Sequence, residues 1–489
     1  MELVYLWIED YKNIDKQGFN FSPRFNCDYD EKTNKLTIYE NDDYIENFFG
    51  DNINVTTIVG ENGSGKSSVL EFLTRILILE DNGNTFKENK SFFYVLSNKL
   101  KPYNFTYYSY GIASITSNEY IYKYFNEPIV KRSRVGQIDL YNHFYMSYLN
   151  ISHFSRDNII ENDKQEDLSK LYYLGIYGQN DFSSSSLGKF KEFNLSRFFL
   201  EFYELIGELL SIPEYRQVIY KTFNIENINS IHIKTSEDRY SKEFYEVVSI
   251  EKWEEYKLYL EENNFTFLIE DREKYKDFFK KTYKLFSRGN PLDFSFRTKN
   301  KERIHFSSGE IAILFYLEKI ARILFNFINL SSFNKKKTIL LLIDEIDLFL
   351  HPSWQKKIIK ILVDFISMKY DFKFHIIITT HSPFLLSDIP KQNIIFLDTD
   401  EKGNGKVVNG LKDKKQTFGA NIHTLLSDSF FMEDGLMGEF AKGKIDDLIS
   451  YLNDGKSTIK DNDEAQKLLN IIGEPLSKIN CNGCWIVRG

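Results

Sequence analysis

The chain has 489 residues, 42% apolar and 27% charged, with a formal net charge of −8. That balance is ordinary for a globular protein and excludes a uniformly basic nucleic-acid binder, though not a local basic face. Cys27, Cys481 and Cys484 are too few for a disulfide scaffold, and no apolar run approaches the roughly 18 residues of a membrane span.

The N-terminal stretch Met1–Ile8 lacks a basic leader and a cleavage site, so a cytoplasmic protein is expected. Leu3–Ile8, Phe19–Phe25 and Lys35–Tyr39 alternate apolar and polar residues, which predicts β-structure over residues 1–60. The apolar run Ile53–Val59 then leads into Gly60-Glu61-Asn62-Gly63-Ser64-Gly65-Lys66-Ser67, followed by Ser68–Leu77 with apolar residues at helical spacing. Strand, glycine-rich loop and helix are the context in which G-x-x-x-x-G-K-[ST] wraps nucleotide phosphates. Backbone N–H groups turn inward, and the helix N-terminus adds partial positive charge. Lys66 is expected to reach the β- and γ-phosphates, and the Ser67 hydroxyl to ligate Mg²⁺.

Between Ser91 and Asn300 no catalytic pattern is evident. Phe92–Leu96 and Asn104–Ile115 read as strands; Leu195–Leu210, Glu251–Glu261 and Arg272–Phe286 read as amphipathic helices. This stretch is expected to be an inserted, mostly helical lobe. Phe and Tyr are abundant, at 43 and 31 residues, beside many Lys, Asn and Ile. AT-rich codon usage accounts for that bias, so the aromatics are not evidence of a base-stacking surface.

Nucleotide-site features return at Phe306. Gly309–Phe327 and Trp354–Met368 carry helical patterns, and Thr338–Ile343 and His375–Thr380 are short apolar runs suited to strands buried on both faces. The run Leu340–Ile343 ends in Asp344 and Glu345. The carboxyl end of such a strand is where a sheet presents side chains to a ligand. Asp344 would hold Mg²⁺, and Glu345, pointing to the other side, could polarise an attacking water. Ser307 and Glu310 have the spacing of a capping box, which suffices locally; the same helix start could bind a phosphate. His381 closes the second apolar run. The remaining residues are expected to form a small α/β tail, with a turn at Glu401–Gly405.

Taken together, these motifs resemble the ABC-type ATPase heads of the RecF, SMC and OLD-like group. Gly60–Ser67 resembles Walker A, Leu340–Glu345 resembles Walker B with its glutamate, and Phe306–Glu310 resembles the signature, with Ser308 departing from its glycine pair. His381 matches the switch histidine, and Lys12 the basic residue that often follows the first strand. The resemblance implies an α/β fold: a P-loop NTPase of ABC-ATPase head type with an inserted, mostly helical lobe. The expected divisions are 1–90 and 301–400 for the head, 91–300 for the lobe and 401–489 for the tail.

It also implies a site for ATP and Mg²⁺. Gly60, Asn62, Gly63, Ser64, Gly65, Lys66, Ser67, Ser68 and Lys12 would surround the nucleotide, and Ser67 and Asp344 would hold the metal. Lys66, Glu345 and His381 would be catalytic. Ser307, Gly309 and Glu310 would face a nucleotide held by a second copy, so two heads would pair head-to-tail. The family's Q-loop has only Gln137 as a candidate.

A transporter ATPase, a RecF- or SMC-like repair ATPase and a defence ATPase are three alternatives. The long insertion and the OLD-like stretch Asp347–Pro352 argue against transport and against any membrane partner. Phe418–Leu426 with Gly438–Ala441 resembles the Septu-type PtuA ATPases found alone or beside retrons, which favours defence. No H-N-H cluster is present, and Asp398 and Asp400 read as a hairpin end. A nuclease would therefore be a partner chain, such as an HNH nuclease, with a retron reverse transcriptase and its nucleic acid as another candidate partner. Lys131–Arg134 and Arg297–Arg303 are candidates for DNA contact, whereas Cys481 and Cys484 lack the further ligands that zinc needs.

Overall fold

The N-terminal alternation resolves into two hairpins and the strand before the loop. β1 (Glu2–Tyr11) pairs with β2 (Ile14–Asn20), β3 (Phe25–Asp30) pairs with β4 (Lys35–Glu40), and β5 (Ile53–Gly60) leads into helix α1 (Lys66–Asn82). The structure is a computed structural model that describes residues 2–82, 91–97, 103, 105–110, 112, 115–117, 121–125, 144–150, 203–204, 206–223, 228–235, 249–285, 292–329, 338–348, 350–367, 373–408, 414–429, 437–453 and 456–472. The alternating run Phe19–Phe25 is divided between β2 and β3. Pro23 lies in the gap and has no N–H to give a ladder.

Further strands are β6 (Phe92–Ser97), β7 (Phe105–Tyr110), β8 (Thr116–Ser117), β9 (Ile121–Phe125) and β10 (Phe144–Asn150). Next come α2 (Pro213–Phe223), β11 (Ile228–Thr235), α3 (Ile250–Glu262), β12 (Thr266–Leu268), α4 (Arg272–Leu285), β13 (Leu292–Thr298) and α5 (Ser308–Asn329). The final elements are β14 (Thr338–Asp344), α6 (Pro352–Gln355), α7 (Ile358–Ser367), β15 (Lys373–Thr379), α8 (Pro383–Leu386), β16 (Ile394–Thr399), β17 (Gly405–Val408), α9 (Ile422–Ser429), α10 (Glu439–Leu452) and α11 (Asn462–Ile471).

Among the described residues, eleven strands join in one sheet, ordered β10-β14-β15-β5-β16-β17-β2-β1-β6-β7-β9. From β10 to β16 the neighbours are parallel. β14 is buried at every position and β15 at all but its first, as parallel strands covered on both faces must be. From β2 to β7 the neighbours are antiparallel. β1 serves two cores: Leu3, Leu6 and Ile8 meet α1 residues such as Val69 and Leu73, while Val4, Tyr5 and Trp7 meet Cys27, Leu36 and Phe93. An irregularity in the pairing between Leu3 and Tyr5 lets the consecutive Val4 and Tyr5 enter the same core.

The expected lobe boundary at residue 91 falls inside this sheet. β6 pairs with β1, and β10 pairs with β14, so residues 92–150 supply strands to the head as well as to any insertion. The described residues 206–298 combine helices α2–α4 with a second sheet, β12-β11-β13. Trp253, Tyr256 and Leu260 of α3, and Tyr275, Phe278 and Phe279 of α4, are the buried apolar faces there. The helix expected over Trp354–Met368 is two helices in its described residues: His351 caps α6, Pro352 opens it, and its first turn closes at Lys356.

The chain divides into two compact units, Met1–Leu425 and Leu426–Gly489. β17 pairs with β16 and belongs to the large sheet, so the expected boundary at residue 400 falls within the first unit. The second unit carries α10 and α11 around Leu448, Leu452, Ala465, Leu469 and Ile472.

Candidate nucleotide site

β5, β15 and β14 lie side by side and parallel, with Ile58 opposite Thr379 and Ile343 opposite Ile378. Their carboxyl ends therefore meet at one edge, and Gly60, Thr379 and Asp344 arrive there together. The loop after β5 needs its glycines for two reasons. Gly63 and Gly65 have φ of +84° and +98°, where a Cβ is strained. Gly60 is a close approach: a Cβ would lie 2.2 Å from the Leu397 carbonyl oxygen and 2.7 Å from Ser64 Oγ.

Lys66, at the start of α1, is only 6% exposed. Its ammonium donates to the carbonyls of Gly60 at 3.0 Å and Glu61 at 2.7 Å. Burial pushes its pKa from 10.5 down to about 8, against the pull of Asp344, Glu345 and Asp347. Ser67 Oγ donates to Asp344 Oδ1 at 3.1 Å, and Thr379 Oγ1 donates to the same oxygen at 2.5 Å. Asp344 itself is buried.

The residues present fit a nucleotide with its metal. Ser64 Oγ is buried and makes no hydrogen bond among the described residues, so the loop carries an unmatched polar atom at its centre. A hydroxyl and a carboxylate meeting at Ser67 and Asp344 are the hard oxygen donors that Mg²⁺ takes alongside phosphate oxygens.

Beyond Asp344 the strand stops. Glu345 has φ of +49°, so the alternation of a β-strand no longer sets its direction, contrary to the sequence expectation. Its N–H donates to Thr379 Oγ1 at 2.7 Å, and the next N–H, of Ile346, donates to the Thr379 carbonyl at 3.2 Å. Asp347 Oδ1 accepts from Thr380 Oγ1 at 2.5 Å and from the His381 N–H at 3.2 Å. Burial, and then the Lys66 cation, hold His381 below the usual imidazole range, against Asp347 and Asp344. Tyr316 of α5 also lies in this field: burial, then Asp347, Asp344 and Glu345, push its hydroxyl well up.

Three residues that sequence reasoning missed hold the loop or the acids beside it. Asn13, in the β1–β2 turn, donates from Nδ2 to the Gly63 carbonyl and accepts from Ser68 Oγ at 3.0 Å. Gly405 donates its N–H to the Asn13 carbonyl at 2.7 Å, and a Cβ there would lie 2.2 Å from the Ser64 carbonyl oxygen. Thr379 is the third. Lys12, expected at the nucleotide, is ion-paired with Glu71 of α1. The only sequence hint was the polar turn at residues 12–13; nothing in it named the loop as its partner.

Ser307 and Glu310 form the capping box at the start of α5. The Ser307 N–H and Oγ both donate to Glu310 Oε2, at 2.7 and 2.9 Å, and the Glu310 N–H donates to Ser307 Oγ at 3.4 Å. Gly309 follows in the first turn. Among the described residues no hydrogen bond joins Ser307 or Glu310 to the 60–68 loop. Asp400 accepts from the N–H groups of Lys402 and Asn404, both at 2.8 Å, and closes the β16–β17 hairpin. Arg297 and Arg303 face each other across an isolated bridge in the turn after β13. Gln137, Lys131–Arg134, Cys481 and Cys484 lie outside the described residues.

A parallel sheet, a phosphate loop at its carboxyl edge and an acid-tipped neighbouring strand are the arrangement of an α/β fold of P-loop type. Comparisons with known proteins find similarity over parts of the chain. A family described as "AAA domain, putative AbiEii toxin, Type IV TA system" matches residues 172–387, which span the signature-like turn, β14 and His381. The "Retron Ec83 probable ATPase" of Escherichia coli is 42% identical over 101 residues, 20% of this chain. The match spans only 17% of that relative's length. A solved structure of the SMC head bound to the C-terminal winged-helix domain of ScpA aligns over 83% of this chain and 97% of its own, at 15% identity and a TM-score of 0.29. Among the described residues no helix is long and apolar enough to cross a membrane.

Proposed function

We propose that the protein binds and hydrolyses ATP with Mg²⁺, pairs head-to-tail with a second copy when ATP is bound, and controls a partner effector in antiviral defence. The observation that carries the ATPase reading is the meeting of Lys66, Ser67, Asp344 and Glu345 at the common end of β5 and β14. Ser67 and Asp344 would hold Mg²⁺, which supplies charge neutralisation for the phosphates. Lys66 would neutralise the β- and γ-phosphates. Glu345 would orient and deprotonate the attacking water, and His381, whose backbone N–H is held by Asp347, would be a neutral imidazole able to donate or accept a proton.

Pairing is supported by the separation of Ser307, Gly309 and Glu310 from the loop: a signature turn not bonded to its own chain's phosphate loop is suited to another's. The defence role is supported by two names, a retron ATPase and a toxin–antitoxin family, each attached to a similar stretch. The effector would be a separate nuclease of HNH type, since the Asp398–Asp400 pair is spent on a hairpin turn.

The test is Glu345→Gln. The variant should bind ATP with near-wild-type affinity, lose at least about 100-fold in turnover and accumulate as an ATP-bound dimer by light scattering. Equal turnover in variant and wild type would remove Glu345 from the mechanism, and a monomer with ATP bound would remove the pairing.

A further inference from the structure

Thr379 occupies an unusual position for a residue at the end of a buried strand. It is fully buried, and its strand β15 is flanked on both sides by parallel neighbours. A valine would satisfy β-propensity and burial there equally well. The hydroxyl therefore needs another explanation, and its bonds supply one.

We propose that Thr379 is a positioning residue that sets the conformation of Glu345 for hydrolysis. This rests on the ATPase reading above and assigns a role to a residue outside the phosphate loop and the acidic pair. A threonine hydroxyl has one proton to give and lone pairs to accept with. Here the proton goes to Asp344 Oδ1 at 2.5 Å, and the Glu345 N–H comes in at 2.7 Å. The Thr379 carbonyl takes the Ile346 N–H at 3.2 Å. One residue thus grips three consecutive residues of the neighbouring chain segment.

That grip matters because Glu345 sits at φ +49°, a conformation an L-residue holds only when its surroundings over-determine it. An extended Glu345 would send its carboxylate along the strand's alternation. The left-handed turn redirects it, and the Thr379 hydroxyl satisfies the N–H that the turn removes from the ladder. The same oxygen of Asp344 accepts from Ser67, so the hydroxyl also links Glu345 to the loop side of the site. Two residues on, Thr380 Oγ1 and the His381 N–H hold Asp347 in the same manner, so the ends of β14 and β15 are laced by side chains where their ladder stops.

The experiment compares Thr379→Val, which keeps shape and loses the hydroxyl, with Thr379→Ser, which keeps the hydroxyl. Three quantities are measured: ATP affinity by titration calorimetry, single-turnover hydrolysis, and hydrogen exchange of the Glu345 amide in the nucleotide-free protein. In Thr379→Val, turnover should fall roughly 10- to 100-fold and the Glu345 amide exchange at least about tenfold faster, the range for losing a hydrogen bond to a charged group. ATP affinity measured without Mg²⁺ should stay within about threefold, because the hydroxyl bonds to Asp344 and Glu345 and not to the phosphate loop. Thr379→Ser should recover turnover and protection to within about threefold of wild type. Thr379→Ala carries the same comparison should valine prevent folding. Wild-type turnover and exchange in Thr379→Val would overturn the proposal. So would a Thr379→Ser variant as impaired as Thr379→Val, which would mean packing and not the hydroxyl. A wild-type chain that hydrolyses no ATP would instead remove the ATPase reading, and the exchange comparison would still judge the grip.

Discussion

On the proposed function, burial of Lys66 would make ATP binding a proton-coupled event. In the free protein its pKa is pushed down to about 8, since desolvation outweighs the nearby Asp344, Glu345 and Asp347. Polyphosphate beside the ammonium favours the charged form and raises that pKa again. The sign follows: below about pH 8 the lysine is already charged and binding takes up few protons, whereas above it each binding event must import one. With a free-protein pKa of about 8, roughly nine-tenths of the sites are neutral at pH 9 and about one-tenth at pH 7. The dissociation constant for ATP should therefore rise about tenfold between pH 7 and pH 9, equivalent to about 1.4 kcal/mol. Isothermal titration in two buffers of different ionisation enthalpy counts the protons directly. Uptake of about 0.9 proton per site at pH 9 and about 0.1 at pH 7 is expected. Lys66→Arg should abolish the linkage, because guanidinium stays charged throughout. Uptake below about 0.2 at pH 9 in the wild-type protein would refute the reasoning, since Lys66 would then be charged before ATP arrives.

Two further outcomes test the surroundings of the loop. Asn13→Ala removes the bonds to the Gly63 carbonyl and to Ser68 Oγ, and should destabilise the fold by about 1–2 kcal/mol in urea melts while weakening ATP binding several-fold, with saturated turnover little changed; unchanged affinity would make the contact purely structural. Ser307→Asn keeps a good N-cap, so stability should hold to within about 0.5 kcal/mol, yet the bulkier side chain should abolish ATP-dependent dimers in analytical ultracentrifugation; wild-type dimerisation in that variant would reduce Ser307 to a cap.

Much of the site was legible because it is written locally. The loop Gly60–Ser67, the acid-tipped run ending at Asp344 and the histidine after β15 each carry their signal in a few adjacent residues. What stayed hidden depends on which strands become neighbours. Asn13, Gly405 and Thr379 touch the loop or the acids only because β2, β17 and β15 are ordered around β5 and β14 in the sheet. Period and propensity give a strand's type and its buried face, not its neighbour. The same gap misplaced the boundary at residue 91: Phe92–Leu96 read correctly as a strand, but its pairing with β1 had no local mark. Glu345 escaped for a different reason, since alternation describes extended backbone and φ +49° is not extended. The aromatic abundance is partly a matter of core filling: Tyr94, Tyr215, Tyr316, Phe19 and Phe278 are among the largest fully buried side chains.

The capping box bears on how a second copy could engage. Ser307 has one hydroxyl proton, and in this structure it goes to Glu310 Oε2 at 2.9 Å. A serine cannot give that proton to a carboxylate and to a phosphate at once. Head-to-tail pairing therefore requires the Ser307 hydroxyl to turn away from Glu310, which can keep its other bond, from the Ser307 N–H at 2.7 Å. The helix start then remains capped by half while the hydroxyl is released to the incoming γ-phosphate. Glu310 is left as a negative charge close to a second one, which opposes pairing until the phosphate is matched by Lys66 and metal on the partner. If heads pair as proposed, the capping box would be a threshold as well as a helix start: a head carrying ADP, with no γ-phosphate to take the Ser307 proton, would have nothing to offset the broken bond and would stay apart.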